Sequence, residues 1–260
     1  MTQEAPLQAV AGLVRPGLSL SGLPGGALSW ALAQVVVDRA RAGRAVLVCA
    51  GSRDEADRLV LELRVHLGPA RVPVLRFPSD DCRPWEGVSP NPELPRERLV
   101  AQRLLAAGGP GVVVAPARAL LQRCLRAEVL DGLCLELRRG GRIGREAMVE
   151  ALVARGYLAV QRVDEPGCVA RQGSVVDLWP TGADHLLRVE LFDDEVESIH
   201  QLDPQTRRSR GPLSAASVLP AREAVATPAA VQRAADRTLA RVEAGGASHL
   251  LRRRVMADLQ

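Results

Sequence analysis

The 260-residue chain is long enough for about two domains, and its 47% apolar residues can fill cores of ordinary size. All 34 basic residues are arginine, and the absence of lysine excludes a P-loop nucleotide-triphosphate site of the usual kind, because a lysine there contacts the β- and γ-phosphates. The net charge of +4, with acidic residues interspersed along the chain, excludes the dense basic surface of a dedicated nucleic-acid-binding protein.

The first half of the chain predicts alternating strands and helices. Strands are predicted over residues 17–23, 44–50, 72–77 and 111–116, helices over residues 27–42, 53–67, 96–107 and 117–125, and a proline-rich loop over residues 78–95. In the second helix, Leu59, Leu61, Leu63 and Leu67 are the predicted apolar positions. Continuous apolar runs such as residues 44–50 are typical of strands buried on both faces, and the alternation with helices indicates a parallel sheet built from β-α-β units.

The glycine-rich turn between the first strand and the first helix occupies the position of a P-loop. Against the pattern G-x-x-x-x-G-K-[ST], Gly22 and Ser29 match, whereas Ala27 replaces the second glycine and Leu28 replaces the lysine. Leu28 cannot supply the charge that the phosphates require, and Ala27 adds a Cβ where a phosphate would approach the backbone. We therefore predict a degenerate nucleotide loop that serves as a tight turn, and no bound cofactor.

The pattern changes near residue 128, where shorter strands begin. Strands are predicted over residues 133–137, 159–163, 174–179, 187–192 and 195–201, helices over residues 145–155 and 228–258, and a linker over residues 207–212. Gly156 is the predicted stop of the helix that precedes it. Short alternating strands separated by turn signals indicate an α+β domain.

No metal site, disulfide framework or membrane segment is predicted. The five cysteines include no C-x-x-C pair, and their odd number is typical of reduced thiols in a cytoplasmic protein. The acidic residues Asp193, Asp194, Glu195 and Glu197 have the donor type for a cation, but a hairpin turn accounts for them first. The sequence shows neither the pattern of a signal peptide nor a run of about 18 apolar residues, so we expect a cytoplasmic protein without a membrane partner.

Nine segments resemble, in the same order, motifs of the transcription-repair coupling factor (Mfd) family. They are residues 77–81, 84–86, 89–90, 96–99, 114–123, 173–180, 187–199, 202–206 and 218–223. The proline-terminated strand at 173–180 and the hairpin at 187–199 are the more specific of these motifs. The helicase UvrB is the close competitor, but it has an intact P-loop and a tyrosine-rich hairpin in its first domain, whereas the only tyrosine here is Tyr157 in the second domain.

The resemblance implies a domain organisation and a function for the N-terminal module. Residues 1–127 are expected to form a degenerate RecA-like α/β domain with a parallel sheet, residues 128–213 an inserted α+β domain like the second domain of UvrB, and residues 214–260 a linker and the truncated start of a returning segment, domain 1b. In this family an ATP-dependent DNA translocase displaces stalled RNA polymerase, while the N-terminal module recruits the damage-recognition protein UvrA. We therefore expect this chain to bind UvrA without catalysis, and to meet RNA polymerase and DNA only through downstream domains that it lacks.

The resemblance also implies partner-binding residues in the second domain. They are Arg171, Gln172, Asp177, Trp179 and Arg188. Gln172 stands where the family has an arginine before the glycine, and Arg171 need not replace it, because successive strand residues point to opposite faces. An arginine fork on an acidic partner contributes about 1.5–3 kcal/mol, so we expect this departure to affect the affinity for UvrA.

Two other functions are alternatives to the recruitment of UvrA. One is a UvrB-like or atypical nucleotide-binding helicase fragment with weak DNA binding, for which added nucleotide would raise the melting temperature. The other is a plain nucleic-acid-binding protein that uses its scattered arginines, for which the affinity would fall steeply with salt.

Overall fold

The fold is described from a computed structural model. It describes residues 17, 19, 21–23, 26–82, 91–225 and 228–244. The helices are α1 (Ala27–Arg41), α2 (Arg53–Leu67), α3 (Glu93–Ala107), α4 (Ala117–Leu120), α5 (Ala127–Leu133), α6 (Arg145–Ala154) and α7 (Pro228–Ala244). The strands are β1 (Ala45–Ala50), β2 (Val74–Arg76), β3 (Gly111–Pro116), β4 (Leu135–Arg138), β5 (Leu158–Ala159), β6 (Cys168–Gln172), β7 (Val175–Leu178), β8 (Leu186–Phe192), β9 (Glu195–Leu202), β10 (Ser209–Pro212) and β11 (Ala215–Val218). Within the described part of the chain, no helix has the length and apolar content needed to cross a membrane.

The first unit (residues 26–133) is built around a parallel sheet of three strands in the order β1–β3–β2. All six residues of β3 are buried, which explains why its sequence is an uninterrupted apolar run. Helices α1 and α2 pack on one face of the sheet, where Val36 and Leu63 are fully buried. Helix α3 packs on the other face through Ala101. The predicted parallel sheet is therefore confirmed over these three strands.

Helix α2 has the predicted bounds but a different buried face. Leu61 is 64% exposed, so its predicted burial is wrong, whereas Val60 is buried together with Leu63 and Leu67. Residues three and four positions apart share one face of a helix. The buried stripe consists of Ala56, Leu59, Val60, Leu63 and Leu67, and Leu61 lies outside it.

The second unit (residues 135–225) contains a six-stranded sheet in the order β10–β9–β8–β7–β6–β5. All neighbouring strands are antiparallel except β5 and β6. Helix α6 covers one face through Met148 and Leu152, and the two-stranded sheet of β4 and β11 contributes Leu137 and Val218 to the same core. Gly156 follows α6 with a φ of +90°, a conformation that favours glycine and ends the helix as predicted.

The structure corrects several predicted elements. Of the segment 17–23, the described residues form no strand. The predicted linker over 207–212 is wrong, because Ser209–Pro212 is the edge strand β10, and an edge strand tolerates glycine and proline and needs no apolar alternation. Strand β6 was not predicted, and helix α4 is a single turn. The predicted helix over 228–258 is observed as α7, and its remainder lies outside the described residues.

The turn between β9 and β10 contains a carboxylate that makes the stability of the fold depend on pH. The Asp203 carboxylate accepts hydrogen bonds from the backbone N–H and hydroxyl of Thr206 and from Arg210. The N–H of Thr206 is the largest of the causes that hold the pKa of Asp203 well below its usual value. A carboxyl with a lowered pKa stabilises the fold above its unfolded pKa of about 4, and this contribution is lost as the pH falls from there toward the folded pKa.

We therefore expect the melting temperature to drop as the pH falls below about 4, and to drop less in Asp203→Asn. Asparagine keeps an acceptor oxygen for the turn but cannot be protonated in this range. Thermal melts between about pH 7 and pH 2 measure the difference. The same acid dependence in both proteins would show that the Asp203 carboxyl is not its source.

Candidate partner-binding site

The six-stranded sheet has two faces of different character. Side chains on one face, such as Val176 and Val189, form the main core of the second unit with α6. Alternate residues point to the opposite face, which we call the outer face. The strand register aligns Asp177 with Arg188 and Arg188 with His200, so a row of polar side chains crosses the outer face over three strands.

Asp177 and Arg188 form a two-point ion pair within this row. Arg188 Nε donates to one carboxylate oxygen and Nη2 to the other, each at 2.8 Å. The Asp177 side chain is 12% exposed and that of Arg188 is 36% exposed. These hydrogen bonds are the largest cause that raises the pKa of Arg188. Asp177 therefore holds the guanidinium in one orientation, and Nη1 is the nitrogen that this pair leaves for an outside acceptor.

Phe192 is an exposed aromatic residue at the end of β8. Its side chain is 72% exposed, whereas Val189 and Leu191 are buried in the core. Because side chains alternate along a strand, Phe192 lies on the outer face together with Arg188 and Glu190. Interfaces are enriched in aromatic residues and arginine. The sequence prediction omitted Phe192, and the alternation of β8 shows only that it shares a face with Arg188 and Glu190.

The remaining predicted site residues lie in three different settings. Arg171 is on the side of the sheet that α6 covers, where it forms an ion pair with Glu146. Gln172, the next residue, is exposed and faces the outer side. Trp179 is half-buried in a small cluster at one end of the outer face, and its Nε1 donates to the carbonyl of Ala183 at 2.9 Å. Only Gln172 therefore shares an exposed face with the ion pair.

The residues of the predicted degenerate nucleotide loop precede β1 in the chain and are not part of the six-stranded sheet. Gly22 has a φ of +71°, and α1 begins at Ala27, with Leu28 in its first turn. Ser29 is fully buried, and its hydroxyl donates to the backbone carbonyl three residues earlier at 2.9 Å. The same oxygen lies 3.4 Å from Nε2 of His66 in α2. The hydroxyl that would contact a metal–phosphate group in an intact loop is thus engaged in packing α1 against α2.

The acidic cluster of the second unit divides between a turn, which holds Asp193 and Asp194, and β9, which holds Glu195 and Glu197. Asp193 has a φ of +51° and lies with Asp194 between β8 and β9, as the hairpin interpretation expected. The carbonyl of Asp194 accepts a hydrogen bond from the N–H of Ile143 at 2.7 Å. In the described residues, no group of three or more histidine, cysteine and carboxylate side chains is placed to hold a metal ion.

Comparisons link the chain to two kinds of protein. Residues 135–223, which include Arg188 and Phe192, match the UvrB interaction domain family. The transcription-repair-coupling factor of Myxococcus xanthus is 34% identical over 191 residues, which are 71% of this chain and 16% of that protein. The one of Haemophilus influenzae is 34% identical over 150 residues, which are 58% of this chain and 13% of that protein. The UvrABC system protein B of Burkholderia mallei is 29% identical over 238 residues, 86% of this chain and 34% of that protein.

Proposed function

The chain carries the UvrB-like module of the transcription-repair coupling factors, and on this premise we propose that its second unit recruits UvrA in nucleotide excision repair. The observation that supports this proposal most is the combination of Phe192 and Arg188 on the outer face, inside the segment that matches the UvrB interaction domain. Phe192 lies four residues along β8 from Arg188 on the same face, so this face offers both an apolar anchor and an oriented donor. We propose that UvrA covers this face and places an acceptor against Arg188.

Calorimetric titration of the whole chain with purified UvrA tests the proposal. We expect saturable binding that Phe192→Ala weakens about tenfold, or 1.4 kcal/mol, because an exposed aromatic anchor is lost. The matched control is Leu121→Ala, because Leu121 is 88% exposed but lies in the first unit. Both residues are exposed, so neither change should alter the melting temperature strongly. No binding by the folded chain, or equal weakening by both variants, would overturn recruitment through the outer face.

We further propose that the first unit is a degenerate RecA-like domain that neither binds nor hydrolyses nucleotide. The leucine at position 28 and the internal engagement of Ser29 support this part of the proposal. The competing function, a nucleotide-binding helicase fragment, predicts stabilisation by about 2.7 kcal/mol at a ligand concentration of 100 times Kd. We expect no change of melting temperature on addition of ATP and magnesium. A clear increase would favour the helicase fragment instead.

The wider assignments are proposals of the same kind. We propose the domain boundaries at residues 127 and 213 and a cytoplasmic location on the resemblance alone, whereas the second unit, as its core defines it, extends beyond residue 213 through Val218 and Ala221. The chain spans about 13–16% of the length of the coupling factors that it matches. We assign contacts with RNA polymerase and DNA to the parts of those relatives outside the matched segment.

A further inference from the structure

Helix α3 lies between the two units and contacts both. One of its sides packs on the parallel sheet through Ala101. On another side, the guanidinium of Arg96 lies so close to Gly167 that a Cβ on this glycine would be 2.6 Å from Nη2. Val100 lies against Gly182, where a Cβ would be 2.3 Å from Cγ2 of the valine. Two turns of the second unit therefore pack directly on α3 of the first unit.

A buried charge joins the same helix to the end of the second unit. The Arg98 side chain is only 1% exposed, and its Nε lies 3.0 Å from both carboxylate oxygens of Glu223. Gln102, one turn along α3, donates from Nε2 to Glu223 at 2.6 Å. The other nitrogens of Arg98 donate to the carbonyls of Pro78 and Arg123, which belong to the first unit. Arg98 therefore connects the sheet edge of the first unit with a carboxylate 125 residues away.

The contact points of the second unit are themselves held together by Tyr157. Its hydroxyl donates to the carbonyl of Leu219 at 2.8 Å and accepts from the N–H of Thr181 at 3.2 Å. Thr181 precedes the glycine that touches α3, and Leu219 lies four residues before Glu223. The N–H of Ala221 also donates to the carbonyl of Arg155, next to α6. Tyr157 therefore links the turn that packs on α3 through Gly182 with the segment that bonds α3 through Glu223.

We propose that Arg98, Gln102 and Glu223 form a clamp that fixes the orientation of the partner-binding unit on the first unit. Residues 96–99 and 218–223, two separate motifs of the sequence, meet in this clamp. A buried guanidinium such as that of Arg98 requires its carboxylate partner, because an unpaired buried charge is strongly unfavourable. Separation of the units would expose Arg98 and leave two turns without their support, so the two units unfold and reorient as one body.

The test is hydrogen–deuterium exchange of the whole chain across a denaturant series, with peptides that report each unit separately. In the unchanged protein we expect one common midpoint for α1–β3 and α6–β9. In Glu223→Ala we expect two separate midpoints, and exchange in residues 180–183 at least about tenfold faster in native buffer, the value expected for losing about 1.4 kcal/mol of coupling.

The matched control is Glu97→Ala, also on α3. Glu97 pairs with Arg76 at 2.7 Å entirely within the first unit. This variant should lower the midpoint while both units still unfold together, which separates loss of stability from loss of coupling. A common midpoint in Glu223→Ala, or two midpoints already in the unchanged protein, would overturn the clamp. No partner protein enters the experiment, so its failure would leave the UvrA proposal untouched.

Discussion

Replacement of Arg98 with methionine is expected to lower the free energy of unfolding by about 3 kcal/mol, because removal of one partner from a buried ion pair leaves the other without its counter-charge. Methionine keeps an apolar stem of similar length but none of the five donors. Glu223 loses its principal partner, and the carbonyls of Pro78 and Arg123 lose a buried donor. The guanidinium also sits 4.3 Å above the ring centroid of Phe77, a contact that methionine retains only in part.

Equilibrium denaturation by urea measures this loss, and Arg103→Ala on the same helix is the control. Arg103 pairs with Asp131 on the surface, where their side chains are 40% and 55% exposed. An exposed pair contributes at most about 1 kcal/mol, so the control should lose far less stability. A loss below about 1 kcal/mol in Arg98→Met would mean that water or other groups replace the clamp contacts of Arg98.

Replacement of Tyr157 with phenylalanine is expected to cost about 2 kcal/mol, because one hydroxyl satisfies two backbone groups. The carbonyl of Leu219 and the N–H of Thr181 would lose this partner, and an unsatisfied buried group costs about 1–3 kcal/mol. The ring is retained, so the packing of the core changes little. Urea denaturation measures the difference, and a loss under about 0.5 kcal/mol would show that other donors or water replace the hydroxyl.

The same tyrosine provides a second readout at alkaline pH. Burial is the largest cause that raises the pKa of Tyr157 above its usual value near 10. A group with a raised pKa contributes stability that is present below its unfolded pKa and lost as the pH rises toward the folded one. The unchanged protein should therefore lose stability above about pH 10, and Tyr157→Phe should lose less. Because Tyr157 is the only tyrosine, tyrosinate absorbance reports its ionisation directly.

Much of the first unit followed from local sequence. Strand β3 and helix α2 have the predicted bounds, because a continuous apolar run and a helical period are properties of neighbouring residues. Strand β10 could not be recognised in this way. Its Ser-Arg-Gly-Pro sequence becomes a strand only because β9 offers it a free edge.

The candidate site was predictable in part. The motifs identified Asp177 and Arg188, and the structure shows that they are cross-strand neighbours that bond each other. The sequence could not show which of Arg171 and Gln172 faces outward, because that depends on which face of the sheet α6 covers. Phe192 required the same knowledge, since the alternation of β8 separates two faces without saying which one is buried.

The sequence by itself determined that the loop at residues 22–29 has no lysine, that a parallel α/β unit precedes a meander of short strands, and that the motifs run in the order of the coupling-factor family. These features depend on residue identity and on periods of two to four residues. Only the tertiary structure decided that Arg98 meets Glu223, 125 residues away, and that Phe192 is exposed while Trp179 is packed. The partner of a buried charge depends on the path of the whole chain, and no local period carries that information.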